Sequence, residues 1–413
     1  MSQLKRTGGR SRAAQPRHVS DRLPRLSRAE RDRRYREIRR RMADADLDVL
    51  ILPANHARWD QMMADSRYVT TIGGFGTETL TIFPRRGEVT AYVFNRSGFW
   101  KEVQDWVADV RDGRNRWSSN AIERLGELRF KRGRIGISGL AGLVRAPDGI
   151  VPYTMVTRLQ AAFPQAKLVD ATGIIQEVRS VKSAEEIALM RHSAWIGERM
   201  VDAMLASARP GVNERRVYAD ITKALLDNGG DLPTLLIFAS GPNINHGQFV
   251  PSNRRMKRGD LLVNEMEAKY AGYAAQLVQP AVLGRPNSGY ADRVKVACEC
   301  FDAVTAKMRP GVTLGEVIET YRSTLAKVGK GRYKTAHPLM HARGLGDEVP
   351  VILGNDDAKR LSGIALEAGM CFIVKPQVVP DKGPTAQIGD TVVVTRSGGQ
   401  RLGERALSLR VID

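Results

Sequence analysis

The sequence predicts an α+β protein of two domains: a smaller α/β domain, then a larger domain with an internal pseudo-twofold duplication. Three observations support this fold class. The chain has 413 residues, of which 42% are hydrophobic and 26% charged, so it is long enough for at least two globular domains. Strand and helix patterns alternate over residues 27–178. Two segments of the second half repeat each other at an offset of one hundred residues.

The N-terminal segment is strongly basic. Fifteen Lys and Arg against four Asp and Glu in residues 1–41 account for +11 of the net charge of +19. Residues 1–26 are predicted to be a disordered tail, and a capping box from Ser27 to Glu30 is predicted to begin a helix. A basic tail can bind nucleic acid, but no RNA-binding motif, zinc finger or basic zipper accompanies this one. A solvated tail is therefore favoured over a nucleic-acid arm, which stays open.

Composition also bears on the compartment. No run of about 18 uninterrupted apolar residues occurs, so no membrane-spanning helix is predicted. The Arg-rich N-terminal segment lacks the apolar core of a secretory signal. Three cysteines, Cys298, Cys300 and Cys371, cannot form a disulfide framework. These features predict a cytoplasmic protein without a membrane partner.

The first domain, residues 27–178, is predicted from alternating strands and helices. Its predicted strands are 48–52, which Pro53 ends, 80–83, 89–94, 134–138 and 167–170. Its predicted helices lie near 99–107, 120–128 and 153–163. Trp59, Arg67 and Trp100 are candidate ligand contacts here, although packing is the favoured role for each.

The second domain, residues 179–413, contains the repeat. Asp202-Ala203 and Arg209-Pro210-Gly211-Val212 recur one hundred residues later, and Val217, Leu225 and Gly229 meet identical residues at the same offset. The pattern predicts a helix ended by Pro-Gly, then a second helix capped by Asn213 or Thr313. Another capping box begins a long helix at Ser183. The predicted strands, gathered in one curved sheet whose concavity can hold a ligand, are 235–238, 261–265, 268–274, 351–353, 371–378 and 391–395.

Several motifs resemble the creatinase, prolidase and methionine aminopeptidase superfamily. They are Lys-Ser-Ala-Glu-Glu-Ile at 182–187, the Arg-Pro-Gly-Val repeat, Gly-Asp-Leu-Leu at 259–262, Tyr-Ala-Gly-Tyr at 270–273 and Gly-Met-Cys-Phe at 369–372. Arg-Tyr-Val-Thr at 67–70 resembles the N-terminal domain of creatinase and prolidase. The resemblance covers roughly residues 27–413 and implies the pita-bread fold, whose two similar halves agree with the repeat. It also implies a homodimer.

Most members of that superfamily hold two divalent metals with two Asp, one His and two Glu. The resemblance places these five ligands on Glu265, Gln276, His341, Lys375 and Gly389. Glu267 adds a carboxylate if it points inward. Divalent ions of the Mn²⁺ or Co²⁺ type need carboxylates to offset their charge, and a lysine ammonium repels them. The resemblance therefore implies that the metal site is lost and that no cofactor is required.

The leading hypothesis is a metal-independent hydrolase of a C–N bond in a small, polar, nitrogen-containing compound. It resembles creatinase, a metal-free member that uses an active-site histidine. His246, fourteen residues before Asp260, corresponds to that histidine and is the predicted general base and acid. Lys375, paired with Glu265, is the predicted electrostatic stabiliser, and a purely structural ion pair is the alternative. His341 is a second acid–base or orienting candidate.

The substrate-binding candidates come from the same motifs. Gln276 is predicted to orient substrate or water, Arg343 to clamp an anion, and Glu267 and Tyr273 to contact the ligand. His337 is a less definite candidate. Two other functions remain open: a non-catalytic binding protein, which the basic tail favours, and a metal-dependent Xaa-Pro aminopeptidase or dipeptidase, which conflicts with the residues at three ligand positions.

Overall fold

A computed structural model describes residues 23–413 except 56–60, 75, 115, 144–145, 245–249 and 334–337. Three of the predicted candidates, Trp59, His246 and His337, and nearly all of the basic tail lie outside the described residues. In the part of the chain that is described, no helix combines the length and the apolar composition needed to cross a bilayer.

The N-terminal domain is a six-stranded mixed sheet with helices packed against it. In chain order its elements are α1 (Arg28–Asp44), β1 (Val49–Ala54), α2 (Gln61–Thr70), β2 (Thr79–Pro84), β3 (Thr90–Val93), α3 (Ser97–Val103), β4 (Asp109–Asp112), α4 (Trp117–Glu127), β5 (Arg132–Ile137), α5 (Tyr153–Ala162), β6 (Gln165–Asp170) and α6 (Thr172–Ser180). The strand order is β4-β3-β2-β1-β5-β6. The predicted domain boundary at 178–179 falls in the last turn of α6.

Strand β1 continues through Pro53, so the prediction that Pro53 ends it was wrong. Pro53 pairs with Leu80 of β2, whereas β5 pairs only with Val49–Ile51. The missing N–H of proline is tolerated where one side of a strand has no ladder partner. The predicted pattern also lacked β4, an edge strand whose Asp-Val-Arg-Asp sequence is too polar to be recognised by strand propensity.

The second domain contains the remaining elements. In chain order they are α7 (Ala184–Ser207), α8 (Glu214–Asp227), β7 (Leu236–Gly241), β8 (Leu261–Tyr270), β9 (Tyr273–Leu277), β10 (Ala281–Leu283), α9 (Ser288–Lys307), α10 (Leu314–Val328), β11 (Leu339–Arg343), β12 (Asp347–Ile352), α11 (Asn355–Arg360), β13 (Cys371–Lys375), β14 (Gln377–Val378), β15 (Ala386–Gln387), β16 (Asp390–Thr395), β17 (Gly398–Arg401) and β18 (Arg410–Ile412). Helices α7 and α8 pack together, as do α9 and α10.

The internal duplication is visible in backbone geometry. Gly211 and Gly311 both adopt positive φ, at 88° and 84°, after the Arg-Pro pairs that follow α7 and α9. The Gly211 N–H donates to the carbonyl of Met256 at 2.8 Å, and the Gly311 N–H donates to that of Leu366 at 2.9 Å. An L side chain rarely adopts this conformation, so glycine recurs at both turns. The repeat read from the sequence is therefore a repeat of structure.

The helix caps follow the predicted residues with one difference. Ser183 forms a complete capping box with Glu186, and Asn213 and Thr313 cap α8 and α10. Ser27 caps α1 by accepting from the Glu30 N–H, but the Glu30 carboxylate binds Arg33 and Arg34 instead of returning to the cap. This first cap is a simple N-cap, not the predicted box.

The strands of the second domain form two five-stranded sheets, so the prediction of one curved sheet was wrong. One sheet has the order β18-β10-β8-β7, with β9 paired to β8, and the other has the order β12-β11-β13-β16-β17. The two meet where Val278 and Gly389 exchange backbone hydrogen bonds of 3.0 and 3.2 Å. This junction brings β9 of the first half beside β13 and β16 of the second.

The two domains share a hydrophobic core and a buried ion cluster. Tyr68 and Val69 of α2 belong to the same core as Leu189, Tyr273 and Leu345 of the second domain. Beside that core lies the junction cluster, which consists of Asp65, Arg179, Lys182 and Glu348. Its Arg179 binds Asp65 at 2.6 Å and approaches Glu348 at 3.5 Å, while Lys182 binds Glu348. Burial is the largest influence on Asp65 and raises the pKa of its carboxyl.

Candidate functional site

Four strands bring polar side chains together at the junction of the two sheets. Glu265 and Glu267 are two residues apart in β8 and therefore share one face. Glu267 pairs with Gln276 of β9, and β11 pairs with β13 so that Leu339 lies opposite Lys375. Each of these strands is nearly continuous in buried residues, so the polar groups lie inside the domain.

Lys375 is buried and paired with a carboxylate. Its Nζ donates to Glu265 Oε1 at 2.5 Å, and the side chains are 4% and 10% exposed. A buried ammonium needs such a partner, because desolvation of an unpaired charge costs several kcal/mol. The structure thus places Lys375 in the interior and beside Glu265, the partner named for it in the leading hypothesis.

Gly389 leaves room for the aliphatic part of Lys375. A Cβ atom on Gly389 would lie 2.7 Å from Lys375 Cγ and 3.2 Å from Val278 Cγ2. The first distance is shorter than real Cβ contacts, so any side chain at this position requires the lysine to move. The absence of a side chain at 389 and the presence of lysine at 375 are therefore sterically linked.

A second ion group, the Arg343 group, lies in the same interior. Arg343 binds Glu267 through Nη2 and Asp347 Oδ1 through Nη1 at 2.8 Å. The Glu267 carboxylate also accepts from the Gln276 amide at 3.1 Å and from the Thr234 backbone N–H at 2.9 Å. Arg343, which was predicted to clamp an anion, thus binds two carboxylates of the protein itself.

His341 contacts the Arg343 group. Its Nδ1 lies 3.3 Å from Asp347 Oδ1 and 3.3 Å from the carbonyl oxygen of Ala342. Burial, the largest influence, lowers the pKa of His341 to about 4; the charges of Lys375 and Arg343 act in the same direction, and Asp347 opposes them. His341 is therefore a neutral imidazole near pH 7, with Asp347 positioned to orient it.

The depressed pKa of His341 predicts a loss of stability in acid. Below its ordinary pKa of about 6.5, the unfolded chain binds a proton at His341 that the folded chain does not bind. This group is expected to lower the free energy of unfolding by up to about 3 kcal/mol as pH falls from 6.5 to 4. Urea unfolding across this range should give a shallower pH dependence for His341→Asn than for wild type. Identical slopes would contradict the prediction.

Tyr273 does not lie with Gln276 in this interior cluster, and its predicted substrate contact stays a prediction. The two residues are three apart in β9 and lie on opposite faces of the strand. The Tyr273 hydroxyl donates to Glu186 at 2.9 Å and accepts from Arg34 at 2.9 Å. With Arg67 and Trp100, it lines a separate cavity of about 640 Å³ between the domains.

Sequence reasoning missed Asp347 and Thr234. Asp347 is the link between His341 and Arg343, and Thr234 fixes the Glu267 carboxylate. The signal for Asp347 was present, since Arg343 and Asp347 pair across the β11–β12 hairpin and opposite charges often face each other there. Thr234 gave no such signal, because it precedes β7 and reaches Glu267 from outside the strand pattern.

The side chains where the two sheets meet do not fit the two divalent cations that the resemblance implies. Among the described residues, no three His, Cys, Asp or Glu side chains gather in a way that could hold an ion. Glu265 is bound to Lys375, Gln276 offers only an uncharged amide, and Gly389 has no donor side chain. A pair of divalent ions needs several carboxylates to offset its charge.

Comparison with known proteins shows similarity in both domains. The family described as Metallopeptidase family M24 matches residues 188–396, and the Creatinase/Prolidase N-terminal domain matches residues 34–181. The Xaa-Pro dipeptidase of Pyrococcus horikoshii is 29% identical over 259 residues, which are 62% of this chain and 71% of the relative. The probable dipeptidase PepE of Mycobacterium tuberculosis is 29% identical over 269 residues, which are 62% of this chain and 70% of the relative.

Solved structures share the whole architecture. The X-Pro aminopeptidase from Thermotoga maritima has a TM-score of 0.75 at 20% identity and covers 92% of this chain and 99% of its own. The prolidase from Pyrococcus furiosus has a TM-score of 0.72 at 23% identity, with coverages of 89% and 99%. At this identity the likeness shows the fold alone, and it confirms the predicted pita-bread domain with its creatinase-type N-terminal domain.

The comparisons also correct the leading functional hypothesis. The prediction of a metal-independent hydrolase of the creatinase type was wrong, because the curated relatives are Xaa-Pro dipeptidases and the matching family is one of metallopeptidases. They support the alternative of an Xaa-Pro peptidase and confirm the broader prediction of a hydrolase that acts on a carbon–nitrogen bond.

Proposed function

We propose that this chain, which belongs to metallopeptidase family M24, hydrolyses the peptide bond of short peptides in the manner of its Xaa-Pro dipeptidase relatives. In that reaction the amide C–N bond breaks, the oxygen of water joins the carbonyl carbon and a proton passes to the nitrogen. The observation that carries the proposal is the match of both domains, over residues 34–181 and 188–396, to one peptidase architecture.

The side chains at the sheet junction support binding of a peptide group. An ammonium has three N–H donors, so Lys375 can keep its bond to Glu265 and also donate to a carbonyl or carboxylate oxygen. Gln276 Oε1 is buried and has no hydrogen-bond partner among the described residues. Its orientation is fixed because the amide nitrogen donates to Glu267. A peptide N–H would satisfy this acceptor after a small opening of the site.

His341 and Asp347 supply the means to handle a proton. A neutral imidazole accepts a proton on one ring nitrogen while the other is held by a carboxylate or carbonyl. His341 has this arrangement, with Nδ1 facing Asp347 at 3.3 Å. The family resemblance further supports a homodimer, which light scattering on the purified chain measures directly.

Peptide hydrolysis is tested with a panel of Xaa-Pro dipeptides, in one arm with Mn²⁺ and in another with a chelator. We expect proline release in at least one arm. Lys375→Gln is expected to lower kcat/KM at least about 100-fold, the usual effect of removing one electrostatic donor. Lys359→Gln, which changes an exposed lysine of α11, is the matched control and should leave kcat/KM unchanged. No proline release in either arm would overturn the proposal.

A second candidate function is a binding protein without catalysis. The observation that favours it is that the charged groups of the site pair with one another, Lys375 with Glu265 and Arg343 with Glu267 and Asp347. Calorimetric binding of the same dipeptides, without release of proline, would support this function over hydrolysis.

A further inference from the structure

We infer that the ammonium of Lys375 is the resident cation of this site and takes the place of the metal pair that the family implies. Positions 375 and 389 are coupled, because this lysine fits only beside a residue without a side chain. The inference concerns the occupancy of the site and not the reaction, so it holds or fails independently of peptide hydrolysis. It rests on steric and electrostatic observations at the junction of the two sheets.

The steric observation is the contact between positions 375 and 389. The space next to Gly389 is filled by the aliphatic stem of Lys375, whose Cγ would be 2.7 Å from a Cβ at 389. A carboxylate side chain at 389 cannot enter while the lysine extends toward Glu265. Conversely, a shorter side chain at 375 would leave a gap beside Gly389, which costs stability in a packed interior.

The electrostatic observation is the balance of charge within the cluster. Among the residues that the structure describes, three carboxylates, Glu265, Glu267 and Asp347, face two cations, Lys375 and Arg343, and each carboxylate is bound to one of them. The formal charge of the set is −1, which cannot offset the +4 of two divalent ions. A metal pair would have to take Glu265 from Lys375. The metal ions would then lie beside a buried ammonium, where like charges repel strongly.

The surroundings of Gly389 hold this arrangement in place. Asp390, the next residue, is turned to Arg401 and Arg405, each at 2.8 Å, and is therefore committed outside the cluster. Arg405 also donates to the Gly389 carbonyl oxygen at 2.7 Å. The carbonyl group of Gly389 is thus held by Arg405, and a ligand carboxylate cannot be supplied by a small shift of the neighbouring aspartate.

Metal binding tests the inference on the full chain. After equilibration with excess Mn²⁺ and removal of free ions, elemental analysis of the wild type should find no stoichiometric manganese. The triple variant Gln276→Asp/Lys375→Glu/Gly389→Glu, which adds three carboxylates, should gain at least one bound ion per chain. Lys375→Gln removes the ammonium without adding a carboxylate and is the matched control, with no such gain. Two bound ions in the wild type would overturn the inference, whether or not the chain hydrolyses peptides.

Thermal unfolding tests the steric coupling without any metal. Gly389→Ala should lower the melting temperature of the wild type, because the new Cβ clashes with Lys375 Cγ. The same substitution in a Lys375→Ala background should lower it much less, since the clashing stem is gone. An equal decrease in both backgrounds would show that the two positions are independent and would overturn the inference that they are coupled. Full-strength peptide hydrolysis by the wild type would leave this result unaffected.

Discussion

Lys375→Met is expected to lower the free energy of unfolding by about 3–5 kcal/mol, the usual cost of removing one partner of a buried ion pair. Methionine keeps the length of the stem beside Gly389 but removes the ammonium. Glu265 then keeps a buried charge without the ammonium that lies 2.5 Å away in the wild type. Urea unfolding followed by circular dichroism at pH 7 measures the difference.

A double variant separates loss of charge pairing from loss of packing. Lys375→Met combined with Glu265→Gln removes both charges and should regain most of the lost stability, because replacing a buried pair by neutral groups is often close to neutral. Lys359→Met, on the exposed face of α11, should stay within about 0.5 kcal/mol of wild type. If Lys375→Met were as stable as this control, the buried pair would not exist in solution.

Arg343→Met is expected to have a larger effect than Lys375→Met. Arg343 is 1% exposed and is bound to two carboxylates, Glu267 and Asp347, both of which also lie inside. Its removal leaves two buried negative charges without their shared cation, so a loss of more than about 3–5 kcal/mol, or failure to fold, is expected. Thermal and urea unfolding of the purified variant provide the measurement, and the soluble yield reports failure to fold.

Two further variants make the Arg343 result interpretable. Arg343→Lys retains the charge but cannot reach both carboxylates with a planar fork, so its stability should fall between wild type and Arg343→Met. Arg360→Met removes an arginine that pairs with Asp357 but is 67% exposed, and should change stability by no more than about 1 kcal/mol. Equal stabilities for Arg343→Met and Arg360→Met would contradict the burial and pairing of Arg343 with Glu267 and Asp347.

Local signals in the sequence predicted the framework well. Ser183, Asn213 and Thr313 were identified as caps because a cap depends on side chains within three residues of the helix start. The repeat predicted paired helices for a similar reason, since Gly211 and Gly311 mark backbone conformations that only glycine readily adopts. Such features are encoded over short distances and need no knowledge of tertiary structure.

Contacts between distant strands set the limit of sequence reasoning. A carboxylate partner for an inward Lys375 was predicted, with Glu265 and Glu267 as the candidates, because a lysine in an apolar strand is costly unless it is paired. The additional Arg343 group was not, since Glu267 and Thr234 come from distant segments of the chain. Tyr273 and Gln276 were both predicted to contact the ligand, but an odd separation in one strand points their side chains to opposite faces.

The functional hypothesis failed for a different reason. The comparison of ligands counted the positions whose donors differ from those of a metal centre, but a difference in donors does not specify which bond is cleaved. The choice of a creatinase-type reaction relied on His246, a residue outside the described part of the chain. Similarity to peptidases along both domains was needed to correct it.

The junction cluster couples the unfolding of one domain to that of the other. Arg179 at the end of α6 ties Asp65 of one domain to Glu348 of the other, and the shared core extends across the same boundary. In a fragment that begins at α7, Glu348 would lack Arg179, and the apolar surface of the shared core would be exposed to water. Both effects disfavour independent folding. Loss of either half should therefore melt the other in one cooperative transition, and a truncated catalytic half is a poor reagent for enzymology.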